Sequence, residues 1–537
     1  MTMSIEGRDF REGTVLRRES LVNSARSQGV ADLLRRTALR LPNKIAVRGA
    51  GTAWSYREFH SLSVRAARGF ADLGLELGDR VAFIARNSPI FACLRYALAV
   101  RGLVLVPINS MLGALEIAFI LRDSGARVLC VDREFADVGK QAAAKATDVE
   151  TFVWMHDEDP PFQDMKSFRA LTNAAPGLAA AVDARCLLQI LYTSGTESLP
   201  KGVVLSHEAV ISQYVSCLID GEISESDVML HAMPLFHCAQ LDVFLGPSIY
   251  VGGENIITSD TRPESLLRLL DTHRVTSFFA PPTIWISLLR SPLFDRTDLS
   301  SLRKGYYGAS IMPVAVLEEM QARLPHTRLW NFYGQTEMAP LATVLKPEDQ
   351  LRKAGSAGRP ALNVETRIVN EEGFDVQVGE IGEIVHRSPH LLSGYFNNEE
   401  RTTEAFIGGW FHSGDLARID AEGYIYIVDR KKDVIKTGGE NVSSREVEEM
   451  IYRLPGVAEV AVVATADRVW IEAVTAIVVM KDGAVLSEHE VISHCRSSMA
   501  SFKTPKRVFF VGSLPKSPTG KLLKRELREW LKQLALQ

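Results

Sequence analysis

The sequence contains no apolar run approaching the roughly 20 residues that span a bilayer, so stable membrane insertion is not expected. Its six cysteines, Cys93, Cys130, Cys186, Cys217, Cys238 and Cys495, form no CxxC pair. Such scatter supplies neither a zinc site nor a disulfide framework, and it suits a reducing compartment. A basic surplus is missing as well. Lys and Arg number 61 against 65 Asp and Glu, and the net charge of −4 leaves no electrostatic footprint for nucleic acid. Repeats and low-complexity tracts are absent. Residues 1–18 are charged and lack an apolar core, so they do not read as a signal peptide. A cytoplasmic location is expected.

What is present is size and apolar content. At 537 residues and 46% hydrophobic, the chain should build more than one domain around large cores. The stretch that organises it begins with an apolar strand at 187–192. The strand empties into Thr193-Ser194-Gly195-Thr196-Glu197-Ser198-Leu199-Pro200-Lys201-Gly202, and a second apolar run follows at 203–205. This turn can aim backbone N–H groups, hydroxyls and an ammonium at one anion, which makes it a phosphate cradle. It is not the Walker loop, because Gly195 and Lys201 have the wrong spacing and no Ser or Thr follows the lysine. The alternative reading is a surface hairpin rich in Ser and Thr.

Strands and helices alternate before this stretch. Strands are expected at 44–48, 53–56, 81–85, 103–107 and 127–132, with helices at 30–38, 56–73, 90–99 and 114–124 and Asn87 as a cap. That alternation predicts α/β layers with parallel strands. After it come a helix at 207–219, a strand at 228–232, a helix at 263–273 and strands at 277–280, 302–307 and 327–332. These strands release Pro234-Leu235-Phe236-His237, Gly308-Ala309-Ser310 and Tyr333-Gly334-Gln335-Thr336-Glu337 from their carboxyl ends, where open α/β sheets hold ligands. Beyond residue 350 short strands predict a β-rich subdomain (365–369, 382–386, 410–413, 416–419, 424–428). The charge cluster Asp429-Arg430-Lys431-Lys432-Asp433 reads as a hinge. About a hundred residues of α+β pattern follow, with helices at 444–453 and 488–496 and strands at 457–464 and 473–480. The expected fold is α/β. Residues 1–428 form a large N-terminal domain of α/β layers with the β-rich subdomain, and residues 429–537 form a small mobile α+β lid.

Eight stretches in order resemble the adenylate-forming superfamily, in particular its acyl-CoA synthetases. They are residues 192–203, 234–237, Gly308-Ala309, 333–337, Ser413-Gly414-Asp415, 429–432, 436–441 and Pro518-Thr519-Gly520-Lys521. The resemblance runs from about Val30 to Leu527. It implies a two-step reaction with ATP, Mg²⁺ and CoA. A carboxylate attacks the α-phosphate, giving acyl-AMP and pyrophosphate; the lid then rotates and the CoA thiol attacks the mixed anhydride. Charge grows on the phosphates, so cations and donors must meet it.

By the same resemblance, Thr193, Ser194, Gly195, Thr196 and Lys201 cradle the β- and γ-phosphates. Thr336 touches phosphate and Glu337 holds the metal. Tyr333 stacks on adenine beside Gly308 and Ala309, while Asp415 and Arg430 hold the ribose. Asp429 is the hinge. Lys521 neutralises charge during adenylation. Gly438, Gly439 and Glu440 line the pantetheine tunnel, His237 sits between the acyl and CoA sites, and Lys503 and Lys506 meet CoA phosphate. The bland alternatives are a turn, a helix cap, solvated lysines and a structural histidine. The acyl pocket is expected around His237, 279–285, Gly308 and 333–340. Gly334, Met338 and Ala339 there leave room for a medium- or long-chain or bulky apolar acid.

Two positions depart from the family's pattern. Glu197-Ser198 stand where Thr-Gly is common, and Ile471 stands where Trp-Gly-Glu has its glycine. An inward Glu197 would cost roughly 1–4 kcal/mol against polyphosphate, or about tenfold to several hundredfold in ATP affinity. Isoleucine is not expected to adopt glycine's torsions. These departures motivate a second reading, an adenylation-impaired enzyme that thioesterifies acyl-AMP supplied by a separate adenylating partner. A third is a non-catalytic acyl-adenylate or nucleotide-binding protein, against which Lys521, Glu337 and Asp415 argue. A peptide-synthetase adenylation domain would want a carboxylate for an amine, and Asp242 is the nearest in sequence to the apolar 235–239 stretch. A luciferase-like oxidation is not excluded by motif but needs a special substrate. The oligomeric state, a homodimer included, stays open.

Overall fold

The computed structural model describes residues 25–535 apart from 27, 147, 176–181, 194–199, 311, 432, 438–439, 468–469 and 518–521. Two large sheets form the bulk of the chain. The first orders its eight strands Gly394–Tyr395, Lys201–Ser206, Leu187–Thr193, Val104–Pro107, Arg80–Ile84, Val128–Val131, Thr151–Trp154 and Met165–Ser167. The second has nine strands, with Arg328–Gly334, Lys304–Gly308, Ser277–Phe279 and Val228–His231 adjacent near its middle. As predicted, those interior strands are parallel. Parallelism fails towards two edges, where Lys201–Ser206 runs antiparallel to Leu187–Thr193, and Leu341–Leu345 antiparallel to Arg328–Gly334. A tight loop can join only antiparallel neighbours. Thr193 and Lys201, which flank the expected phosphate loop, are therefore paired across antiparallel strands, and both line the interior cleft; residues 194–199 between them lie outside the described residues.

Helix Pro89–Arg101 is buried nearly all round, which suits its almost continuous apolar sequence. Its N-cap is Ser88, whose Oγ accepts from Phe91 N at 3.1 Å. Asn87 is not the cap. Its Nδ2 donates to Met233 O and Thr258 O, and its Oδ1 accepts from Leu235 N, so it pins the loop that leads to His237. Helix Tyr56–Asp72 opens on a capping box made by Ser55 and Glu58.

The β-rich subdomain pairs Glu365–Val369, Gly382–Arg387, Trp410–Ile419 and Phe406–Ile407 in one sheet, with Ile425–Arg430 against Trp410–Ile419. Two strands expected at 410–413 and 416–419 are one. Ser413-Gly414-Asp415 does not turn the chain, because Ser413 Oγ accepts from Asp415 N while Gly414, at φ +73°, absorbs the irregularity. The small domain has its own sheet, with Ile471–Met480 between Val457–Asp467 and Ile435–Thr437 and also beside Arg507–Phe510, and its own apolar core. Among the described residues, no helix is long and apolar enough to cross a membrane.

Four histidines are buried and neutral. Burial pushes His207, His231 and His390 down to about 4 and His386 to about 3. Unfolded rings titrate near 6.5, so the unfolded chain binds more protons below that pH. Stability is then full above about pH 6.5 and falls as pH drops towards the folded values. Each ring is expected to cost about 2 kcal/mol between pH 7 and pH 5. Denaturant unfolding across that range should show a steep loss, and a flat profile would refute the assignment.

Candidate active site

A cleft of about 2730 Å³ is lined by the carboxyl ends of the second sheet, the hairpin of the first, the β-rich subdomain and the small domain. Lys201 lies on its wall. The Lys201 Nζ donates to Glu337 Oε1 at 2.7 Å and to the Tyr395 hydroxyl at 2.9 Å, and the Tyr395 hydroxyl donates to the same carboxylate oxygen at 3.0 Å. Burial pushes the Glu337 carboxyl up, but the adjacent ammonium more than reverses that and leaves it below the ordinary carboxylate range. Glu337 is thus a charged group held ready in a buried place. Thr193 Oγ1 on the same wall is buried and has no hydrogen-bond partner among the described residues. A buried hydroxyl without a partner is costly unless a ligand completes it.

The second cluster lies beside the first. The Tyr333 hydroxyl donates to Asp415 Oδ2 at 2.6 Å, and Arg430 Nε sits 3.2 Å from Asp415 Oδ1. Burial, then the Asp415 charge, keeps the Tyr333 phenol well above its usual range, so it stays a donor. Glu383 extends this wall. It accepts from Gly414 N at 3.0 Å and faces Lys431 Nζ and His412 Nδ1, each at 3.3 Å. Thr336 is buried, with its Oγ1 3.6 Å from Cys238 Sγ.

The expected residues fall into three groups. Thr193, Lys201, His237, Ala309, Tyr333, Thr336, Glu337, Asp415, Asp429 and Arg430 line the one cleft. Gly308 stands behind it, and its lack of a side chain serves the sheet. A Cβ there would lie 2.3 Å from Phe332 O on the paired strand, so the sheet by itself already excludes a side chain at this position. Glu440 is exposed on the small domain, and Lys503 Nζ is occupied by both oxygens of Glu446 at 2.8 Å. Ser194, Gly195, Thr196, Glu197, Gly438, Gly439 and Lys521 lie outside the described residues. Ser517, Leu522, Leu523 and Lys524, on either side of the last of these, line the same cleft.

Sequence reasoning missed Tyr395. It belongs to a two-residue strand that leaves the β-rich region and pairs with Val203. An aromatic after Ser393-Gly394 was the available signal. Nothing in local hydropathy says that this strand returns to the first sheet.

Asp242 cannot serve an amine. It is fully buried and ion-paired to Arg95 Nη2 at 2.6 Å, with Gln189 Nε2 also donating to it at 2.6 Å. The expectation about Ile471 is overturned as well. Ile471 takes φ +67° at the start of its strand, facing Thr437, with its side chain 74% exposed. For a β-branched residue that conformation costs roughly 1–2 kcal/mol. Ile471→Gly is expected to stabilise the small domain by about 1 kcal/mol, read by denaturant unfolding. A destabilised variant would show that the isoleucine is not strained.

Two family descriptions match the chain, AMP-binding enzyme over residues 34–396 and the AMP-binding enzyme C-terminal domain over residues 446–521. The chain is 36% identical over 504 residues to a feruloyl-CoA synthase of Amycolatopsis sp., covering 94% of this chain and 99% of that one. It is 37% identical over 476 residues to the long-chain-fatty-acid–CoA ligase FadD13 of Mycobacterium tuberculosis, covering 88% and 92%. The crystal structure of the anthranilate CoA ligase AuaEII with anthranoyl-AMP superposes with a TM-score of 0.88 at 27% identity, covering 95% of this chain and 98% of that one. This chain therefore belongs to the AMP-binding, adenylate-forming enzymes, in the acyl-CoA synthetase branch of AMP-forming acid–thiol ligases.

Proposed function

We propose that the enzyme converts a medium- or long-chain or bulky apolar carboxylic acid to its acyl-CoA through a tightly held acyl-AMP, with residues up to about 428 forming the catalytic body and the remainder the lid. The observation that carries this reading is one cleft in which an aromatic wall meets the Lys201–Glu337–Tyr395 cluster. Phe244 stacks on Phe279 with ring centroids 4.4 Å apart, and Ile286 and Met312 line the same cleft. Apolar walls of this kind bind by burial and leave orientation to a few polar groups. The named relatives act on feruloyl, fatty and anthranoyl groups, all with apolar bodies.

In the first step Lys201 and Thr193 meet the departing phosphates. Asp415, with Arg430 and the Tyr333 hydroxyl, holds the ribose hydroxyls and fixes the α-phosphate for in-line attack. Among the described residues no group of three His, Cys, Asp or Glu forms a metal cage. One buried carboxylate fits Mg²⁺, which takes few protein oxygens and completes its shell with phosphate and water. Glu337 would hold it, and the ion would supply positive charge at the phosphates. Lys521, at the α-phosphate, and the 438–440 loop, along the pantetheine, are the lid's contributions in this reading.

The test compares two assays on one preparation. One supplies a panel of apolar acids with MgATP and CoA, and the other supplies matching acyl-AMP with CoA alone. Acyl-CoA in both is expected. Product only from acyl-AMP would replace this reading with thioesterification that depends on a separate adenylating enzyme.

A further inference from the structure

The hinge region carries a polar relay that the reaction described so far does not use. Asp429 Oδ2 accepts from both Ser444 N and Ser444 Oγ, each at 2.8 Å. The Ser444 hydroxyl in turn accepts from Lys524 Nζ at 2.6 Å. Lys524 Nζ also pairs with Glu448 Oε1 at 2.8 Å. Ser444 is fully buried, Asp429 is 8% exposed, and the Lys524 and Glu448 side chains are largely buried. A second tie runs parallel, from Arg528 Nη2 to Asp433 Oδ1 at 2.5 Å. Both ties join the start of the small domain to the segment that begins three residues after Lys521.

We propose that Lys524 is a positioning residue that, through Ser444, ties the C-terminal segment to the hinge residue Asp429 and so holds the lid in the orientation that serves adenylation. This rests on the roles given above to Asp429 and Lys521. The geometry supports it in three ways. Ser444 lies 15 residues beyond Asp429 on the lid side, so a rotation about the Asp429 ψ would carry Ser444 away from the carboxylate, and the relay belongs to the one orientation in which it is seen. Leu522, Leu523 and Lys524 line the cleft that also holds Lys201 and Glu337, which is where a segment serving the phosphates must lie. Lys524 lies on the first turn of helix Lys524–Ala535, so its anchor sets where the preceding residues leave the helix.

The experiment measures two half-reactions in the full-length chain, ATP–pyrophosphate exchange driven by the acid and acyl-CoA formation from supplied acyl-AMP. Lys524→Met is expected to lower exchange by about 10²-fold, the cost of misplacing a catalytic group by about an ångström. It should leave thioesterification within about threefold. Lys524→Arg should restore most of the exchange. An equal loss in both half-reactions with a lowered melting temperature would make Lys524 purely structural and overturn the proposal, as would unchanged exchange. Should Lys524→Met fail to fold, Ser444→Ala removes only the hydroxyl link and leaves the Lys524–Glu448 pair. A smaller loss confined to exchange is expected of it, and an even loss or none would overturn the relay. Lys521→Ala, run alongside, separates the two ideas. Intact exchange there refutes the role given to Lys521, whereas the split between half-reactions in Lys524→Met judges the relay.

Discussion

Glu337→Gln is expected to lower adenylation by about 10²–10³-fold while transfer of a supplied acyl-AMP to CoA stays within about tenfold of the parent. The asymmetry follows from where charge moves. Glu337 is nearly as large as glutamine, so packing is kept, yet its charge faces Lys201 Nζ at 2.7 Å and, in the proposed reaction, would offer a hard oxygen to the metal. In the proposed reaction a neutral amide would release the lysine and lose the ion, both of which would matter only while pyrophosphate departs. Thioesterification cleaves the acyl–phosphate bond after pyrophosphate has gone. The check is the same pair of half-reaction assays with a MgATP titration. A variant that loses both half-reactions equally would make Glu337 a structural anchor of Lys201 and Tyr395.

The largest effect on stability is expected at Arg95. Arg95→Met leaves the fully buried Asp242 carboxyl without its ion-pair partner, and such one-sided removals cost about 3–5 kcal/mol. The pair is 1% and 0% exposed, and Gln189 and Tyr214 also bond to Asp242. Arg95 Nη1 has no partner among the described residues, which leaves the network short of one bond in the parent. The double variant Arg95→Met with Asp242→Leu is therefore expected to recover most of the loss. Denaturant unfolding followed by tryptophan fluorescence measures all three. Equal losses in the single and double variants would show that the pair acts through packing and not through charge. Gln189 sits on the strand that delivers Thr193, so Arg95→Met should also raise the KM for ATP.

Much of this was legible from residue order. The strand ends at Gly308, Tyr333 and Thr193 could be read because a parallel sheet releases its loops at one side, and small, hydroxyl and aromatic residues cluster there. The Lys201–Glu337 contact was not readable, since it joins two sheets across 136 positions. Tyr395 was hidden for the same reason. Asn87 was misassigned because a cap and a loop brace want the same side chain, and only the Ser88-Pro89 pair beside it favours the later start. Ile471 shows the opposite failure, since local torsional preference excluded a conformation that the strand pairing with Thr437 imposes.

The two-residue strand Gly394–Tyr395 also bears on how the chain folds. Lys201–Ser206 is the penultimate strand of its sheet, and Gly394–Tyr395 is the only covering that its outer side has among the described residues. During synthesis nearly two hundred residues must emerge before that covering exists. Until then the strand, with Val203 and Val204 at its centre, is an open β-edge able to pair with another chain. A chain ending short of Gly394 should therefore self-associate even though every other strand of that sheet is present. The same late pairing brings Tyr395 to Lys201 and Glu337, so that charged cluster is among the last features that the nascent protein completes.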